Sequence, residues 1–352
     1  MEESRENYPE LPYLNYSKLV LMILVVLYHS MVFWNGDWFT VISVNTQAQP
    51  LVYFSGWLNT IHIYCFVLIS GYLFYYLKYV KKKESYNNLS LFIKNKTLRL
   101  LVPYLFILII WVLPFNLAFY KLSIQDILLN YLLGISPNQL WFLLMLFILF
   151  LFYYFFSKIL KEHNFLGFFI CILFYMVSIV CNHYFENYFQ IFSVLKFALY
   201  FCIGFIICQR GNFTKKIHPI IWLFADILIY VVSIIVMKTI PFSHESIQYT
   251  FIKIFFDFVL SIIGAIMAFN FLTWIFSKIR KENSVLNYLS RRQMGFFLFH
   301  QQLIYIFLYV LNDYVNPYLI VLVSFIMSIL VSLLITSLFL LTKYSKVLIG
   351  EK

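Results

Sequence analysis

Residues 17–34 read SKLVLMILVVLYHSMVFW, and only two of these side chains, Lys18 and His29, carry or readily take a charge. As a helix, a stretch of that length spans about 27 Å, close to the hydrocarbon thickness of a bilayer. Working outward, comparable apolar stretches recur to the end of the 352-residue chain, which is 62% hydrophobic and only 12% charged. Soluble domains carry roughly 25% charged residues. The pattern predicts an all-α, polytopic transmembrane bundle. A transmembrane barrel would show short alternating segments instead.

Ten spans are expected, at about 17–34, 52–77, 98–119, 139–157, 165–181, 189–208, 219–239, 251–275, 294–311 and 318–341. The leading MEESRENYPELPYLNY is polar, carries acidic residues and lacks a small-residue cleavage site, so the first span is expected to stay as a helix. The longest pieces between spans are 35–51, 78–97, 120–138 and 276–293, so residues 1–352 read as a single membrane domain. Five cysteines lie in or beside spans without a Cys-x-x-Cys pair and read as small apolar fillers, with neither disulfide nor metal implied. With 41 Phe and 28 Tyr in the chain, aromatic stripes say little about function.

The net charge of +11 is explained by topology rather than by a nucleic-acid partner. With a cytoplasmic N-terminus, 22 of the 26 Lys and Arg residues gather on the cytoplasmic side, among them Arg5, Lys81, Lys215, Arg280, Lys281, Lys343 and Lys352. Lys121 and Lys238 fall on the opposite side, while Lys196 and Lys253 lie within spans. So lopsided a split predicts that both ends are inside.

Lys18 and His29 are eleven residues apart. On a helix that spacing returns to within about 20° of the same face, roughly 16 Å further along. Lys18 then sits at the cytoplasmic mouth and His29 near mid-membrane, where a polar group faces a partner or a cavity. The alternative is a core histidine bonded to a backbone carbonyl. In the ninth span His300 lies eight residues past Arg292, about 12 Å above the boundary. Two imidazoles at similar depth suggest a reaction chamber, since imidazole is suited to taking a hydroxyl proton near neutral pH.

Several segments resemble the membrane acyltransferase-3 family of bacterial integral membrane proteins. YLNYSKLVLMILVVLYH (13–29) is similar to its first helix, with a basic residue, ten residues and a histidine. FVLISGYLF (66–74), FIKNKTLRLLVPYLF (92–106), LWFLLMLF (140–147) and LNYLSRRQMGFFLFHQQLI (286–304) resemble later segments in family order. The chain departs from the common pattern at Asn15 (often Asp), at Gln139 (often His) and at Gln293 or Met294, where a Ser is common.

The resemblance implies an O-acyltransferase that moves an acyl group, often acetyl, from acyl-CoA onto a sugar of a surface polysaccharide. Acetyl-CoA would be a co-substrate, with no resident cofactor. The acceptor would be a glycan or lipid-linked sugar, and the location the bacterial inner membrane. Without a soluble esterase-like domain, transfer would occur within the membrane unit or with a partner. His29 would be general base or acyl carrier, and His300 would move protons or touch the sugar. Lys18, Lys96 and Arg99, with the Arg291–Arg292 pair behind them, would meet the donor phosphates, although such cations also serve topology and anionic lipid. Trp141 would stack on a sugar or adenine, or anchor the interface. Ser70 and Gly71 read as packing residues. Lys253 and Asp257 can pair on one helix face, Asp226 has no local partner, and the role of His62 is open. A proton-coupled polysaccharide exporter is the competing reading; it would favour inverted repeats and broken helices. A sugar-chain polymerase would want a larger external loop.

Reporter fusions after residues 45, 130 and 245 are expected outside, and fusions after 85, 215 and 285 inside. Any one firmly on the wrong side breaks the ten-span topology.

Overall fold

In the computed structural model, the described residues are 11–36, 38–211, 213–243, 246–279 and 283–351. Arg5, Arg280, Lys281, Lys352 and His244 lie outside them, as does the side chain of Lys215. Among the described residues, ten helices are long and apolar enough to cross a membrane: α1 (Pro12–Asn35), α2 (Gln49–Val80), α3 (Leu89–Phe119), α4 (Asn138–Glu162), α5 (Asn164–Tyr184), α6 (Tyr188–Gln209), α7 (Pro219–Thr239), α8 (Ile247–Ser277), α9 (Gln293–Leu311) and α10 (Pro317–Phe339). The protein is an all-α, multi-pass membrane protein. The largest departure from expectation is at α3, which starts at Leu89 instead of near 98. Asn88 caps it, its side chain accepting from the Leu91 N–H at 3.1 Å. Lys94 and Lys96 lower the hydropathy of this first stretch without interrupting the helix.

Burial separates the interior from the lipid boundary. The apolar window of α9 is 67% buried and those of α1, α4 and α6 are each 61% buried, against 22% for α5 and 11% for α7. Helix α1 packs against α2, α8, α9 and α10, and so brings the chain's beginning against its end. An even number of crossings puts both described ends on one side. This is the side of Lys81, Lys82 and Lys83, called here the basic face; the loops 36–48 and 120–137 lie on the far face.

Two spans are irregular where the site forms. Helix α2 breaks at Thr60–Ile61, between Gln49–Asn59 and His62–Tyr75. Helix α3 contains π-helical turns at Thr97–Leu101 and Leu108–Val112, close before Pro103 and Pro114. Proline has no N–H to return to the preceding turn, and the π turns absorb that loss. The Arg99 carbonyl, left without a Pro103 donor, lies against Gly350, where a Cβ would come within 2.6 Å of it. The short helix Lys343–Leu348 thus docks on the start of α3.

The tightest crossing joins α2 to α6. A Cβ at Gly71 would lie 2.0 Å from the Phe201 carbonyl oxygen, and one at Gly204 would lie 1.9 Å from that of Leu68. Both positions need glycine so that the backbones can touch. Gly204→Ala is expected to destabilise the bundle by about 1–3 kcal/mol or more, read as a lower melting temperature in detergent. A melting temperature equal to wild type would refute this crossing.

Candidate active site

Helices α1 and α9 hold the two mid-membrane histidines in contact, with His29 Nδ1 2.8 Å from His300 Nε2. The tautomers follow from the neighbours. His300 Nδ1 lies 2.9 Å from both the Phe296 and Phe297 carbonyl oxygens, which can only accept, so this nitrogen carries the proton. His300 Nε2 is then the acceptor, and His29 Nδ1–H donates to it. His29 Nε2 is left with a free lone pair. His300 is 0% exposed, whereas His29 is only half-buried and reaches a cavity.

That cavity, about 380 Å³, opens toward the far face and is uncharged but polar. Trp38 stacks on the His29 ring at 5.2 Å. Asn116 Nδ2 donates to Tyr131 Oη at 2.6 Å and to Asn138 Oδ1 at 2.8 Å, and Gln301 Nε2 donates to Tyr305 Oη at 2.5 Å. Gln139 and Gln302 close the floor with reciprocal amide bonds of 2.8 and 3.1 Å, and Gln139 also donates to the Leu298 carbonyl at 2.8 Å. Asn138 is held at φ +50°, a left-handed strain of the kind that gathers at functional sites.

A second cavity, about 150 Å³, opens on the basic face below. Lys18, Lys96, Arg99 and Glu351 line it, with Phe66, Phe142 and Phe297 among its apolar walls. Lys96 is 8% exposed. Its ammonium lies 3.2 Å from the Phe150 ring centroid and donates to Tyr86 Oη at 3.2 Å. Arg99 is exposed at the cavity wall. Burial pushes the Glu351 carboxyl up to about 7, while Arg99 and Arg292 pull the other way.

An aromatic layer parts the cavities. Phe66 and Phe142 meet at 5.5 Å, Phe142 and Phe297 at 5.9 Å, and Phe297 lies 6.2 Å from the His300 ring. Of the residues singled out from sequence, His29 and His300 thus meet each other, and Lys18, Lys96 and Arg99 meet around the basic-face cavity. Arg291 and Arg292 are not in its lining. Arg292 stacks on Tyr288 at 3.6 Å and donates to Ser337 Oγ at 3.2 Å, tying α9 to α10. Trp141 lines the far-face cavity, away from Lys18, Lys96 and Arg99.

Other residues were missed or need correction. Gln302 and Glu351 carry no local motif. Asp226 is not alone: Trp57 Nε1 donates to its Oδ2 at 2.7 Å, from a helix 169 positions away in sequence. Ser70 lines the basic-face cavity, its hydroxyl donating to Phe66 O at 3.0 Å. His62 is buried behind Tyr28, their rings 4.9 Å apart, and Nδ1 donates to Leu58 O at 2.5 Å.

A family profile described as an acyltransferase domain matches residues 11–337, nearly the whole chain. The protein belongs to this acyltransferase-3 family and is a membrane acyltransferase. No curated protein and no solved structure matches it.

The titration of Glu351 is expected to make any anion binding in the basic-face cavity pH-dependent. Its folded-state pKa is raised, so the carboxyl is neutral below about 7 and charged above. As pH rises through that value a negative charge develops beside Lys18, Lys96, Arg99, Arg292 and Tyr86. Affinity for pyrophosphate, a small probe of this cavity, is expected to fall over pH 6–8, and Glu351→Gln to flatten the decline. An equally steep decline in the variant would exclude Glu351 as the cause.

Proposed function

We propose that this acyltransferase is an O-acyltransferase of the cytoplasmic membrane, which moves an acetyl-sized group from acyl-CoA to a sugar hydroxyl. The acceptor is a cell-envelope or exopolysaccharide glycan, or its lipid-linked precursor. The observation that carries this reading is the unshared His29 Nε2, facing an uncharged polar cavity directly above a separate cationic one. Sugars are bound by neutral amides, hydroxyls and aromatic faces. Coenzyme A needs cations for its phosphates. The charge asymmetry supports placing the donor on the basic, cytoplasmic face.

In this mechanism Lys18, Lys96 and Arg99 receive the donor phosphates, and the thioester arm reaches toward the layer of Phe66, Phe142 and Phe297. The acceptor hydroxyl approaches His29 from the far face. Nε2 takes its proton as the oxygen attacks the thioester carbonyl. The tetrahedral intermediate collapses with cleavage of the C–S bond, and the proton passes from Nε2 to the departing sulfur. His300, fixed by two carbonyls, keeps accepting from Nδ1–H and steadies the imidazolium. A two-step route through acyl on Nε2 would use the same atoms, with the hydroxyl attacking in the second step.

The test is glycan acylation by His29 and Arg99 variants that insert and melt like wild type. His29→Ala and His29→Gln are expected to lose about 10²–10⁴-fold in rate. Glutamine can keep the bond to His300 but cannot take a proton near neutral pH, so activity retained in His29→Gln would refute a base or carrier role. Arg99→Ala is expected to weaken acetyl-CoA binding in purified protein; unchanged affinity would remove Arg99 from the donor site.

A further inference from the structure

A third cavity, about 280 Å³, lies beside the His29 cavity on the far face, and Trp141 is a wall of both. Asn59, Tyr64, Asn182, Gln190, Ser193 and Lys196 line it. Lys196 is the one charged residue in the linings of these two cavities. Topology gives no reason for it, because positive-inside bias favours cations on the other face. Its ammonium stands 5.6 Å from the Tyr64 ring centroid and 6.0 Å from that of Phe197. Such rings support a cation without neutralising it. Asp257 on α8 also feels this charge but does not line the cavity, and it is shared with Lys253.

The wall is built rather than incidental. Phe189 and Gln190 both adopt left-handed backbone, φ +51° and +61°. That turn is braced by Gln190 Nε2, which donates to the Gly134 and Ile135 carbonyls at 2.7 and 2.8 Å. Ser193 Oγ donates to Gln190 Oε1 at 2.8 Å, and Asn187 Nδ2 donates to Ser193 Oγ at 3.0 Å. Strain of this sort persists only where its surroundings enforce it. The loop that carries Gly134 and Ile135 continues into Ser136 and Asn138 of the His29 cavity, so the same brace fixes both cavities.

We propose that the Lys196 cavity is an anion-recognising acceptor subsite. It takes a carboxylate or phosphate carried by the glycan, while a neighbouring sugar, stacked on Trp141, offers its hydroxyl to His29. The acceptor class is therefore an acidic glycan. This rests on the acyl-transfer reading and narrows its substrate.

The test uses the full chain in phosphatidylcholine nanodiscs, with tetragalacturonate as acidic probe and galactotetraose as neutral probe of equal length. Wild type is expected to bind the acidic probe about tenfold tighter, and Lys196→Gln to remove that preference while sparing the neutral probe. Lys196→Arg should retain the preference. Asn182→Asp, at an exposed rim position, should weaken only the acidic probe, which guards against misfolding of Lys196→Gln. No preference in wild type, or a preference untouched by Lys196→Gln, overturns the proposal. So does a preference abolished by phosphatidylglycerol in the disc, which would assign the site to a lipid headgroup. Acetyl-CoA affinity measured on the same samples separates the two readings. Its absence refutes acyl transfer, whereas normal acetyl-CoA binding without glycan discrimination refutes only the subsite.

Discussion

The hydrogen bond between His29 and His300 ties the beginning of the chain to its end, and the chemistry of the site depends on its direction. Two imidazoles in contact could share a proton either way. Here the direction is set outside the pair, by the carbonyls of Phe296 and Phe297 accepting from His300 Nδ1. A backbone carbonyl cannot donate, so each tautomer follows from the one before it, ending with a basic nitrogen at the cavity surface. The arrangement resembles a buried acceptor orienting a catalytic histidine, with neutral imidazole in place of a carboxylate. The substitution suits the bilayer interior, where an added negative charge would be costly to hold.

Around this bond the membrane imposes an asymmetry that the site exploits. Positive-inside topology supplies cations at one mouth, and α3 turns that supply into a cavity. Its π turn at Thr97–Leu101 carries Arg99, and Pro103 leaves the Arg99 carbonyl for Gly350 to pack against. On the far face neutral amides and hydroxyls dominate, bonded to one another through Gln139–Gln302 and Asn116–Tyr131, with Asn116 Oδ1 left without a partner. Each polar group in that wall has a cost in a low-dielectric setting unless it is bonded. Reciprocal amide pairs meet that requirement without introducing charge.

Much of this was legible in the sequence. All ten spans follow from hydropathy, because lipid tolerates no other order of polar and apolar residues. The shared depth of His29 and His300 follows from helical rise counted from Lys18 and Arg292. What escaped were features set by partners remote in sequence or by backbone detail. Asp226 looked unpartnered because Trp57 is invisible to any local window. The break at Thr60–Ile61 carries neither glycine nor proline, the usual signs of interruption. Gln139 read as a departure from a family pattern, yet its amide does double service between Leu298 and Gln302. Trp141 read equally as sugar platform, adenine platform or anchor, and only its place on the far face parts it from Lys18, Lys96 and Arg99.

The aromatic layer between the cavities sets the remaining constraint on the proposed reaction. Phe66, Phe142 and Phe297 belong to α2, α4 and α9, so no single helix can clear the passage. Phe142 and Phe297 are 6% and 5% exposed, and displacing either ring opens a void that costs several kcal/mol unless something fills it. A slim thioester arm can fill such a void as it enters, replacing ring contacts with its own. On that route a branched or long acyl chain would need a wider opening than a small one. The layer therefore keeps the two cavities apart in the empty protein, and on the proposed route a small acyl group would ask the least of that packing.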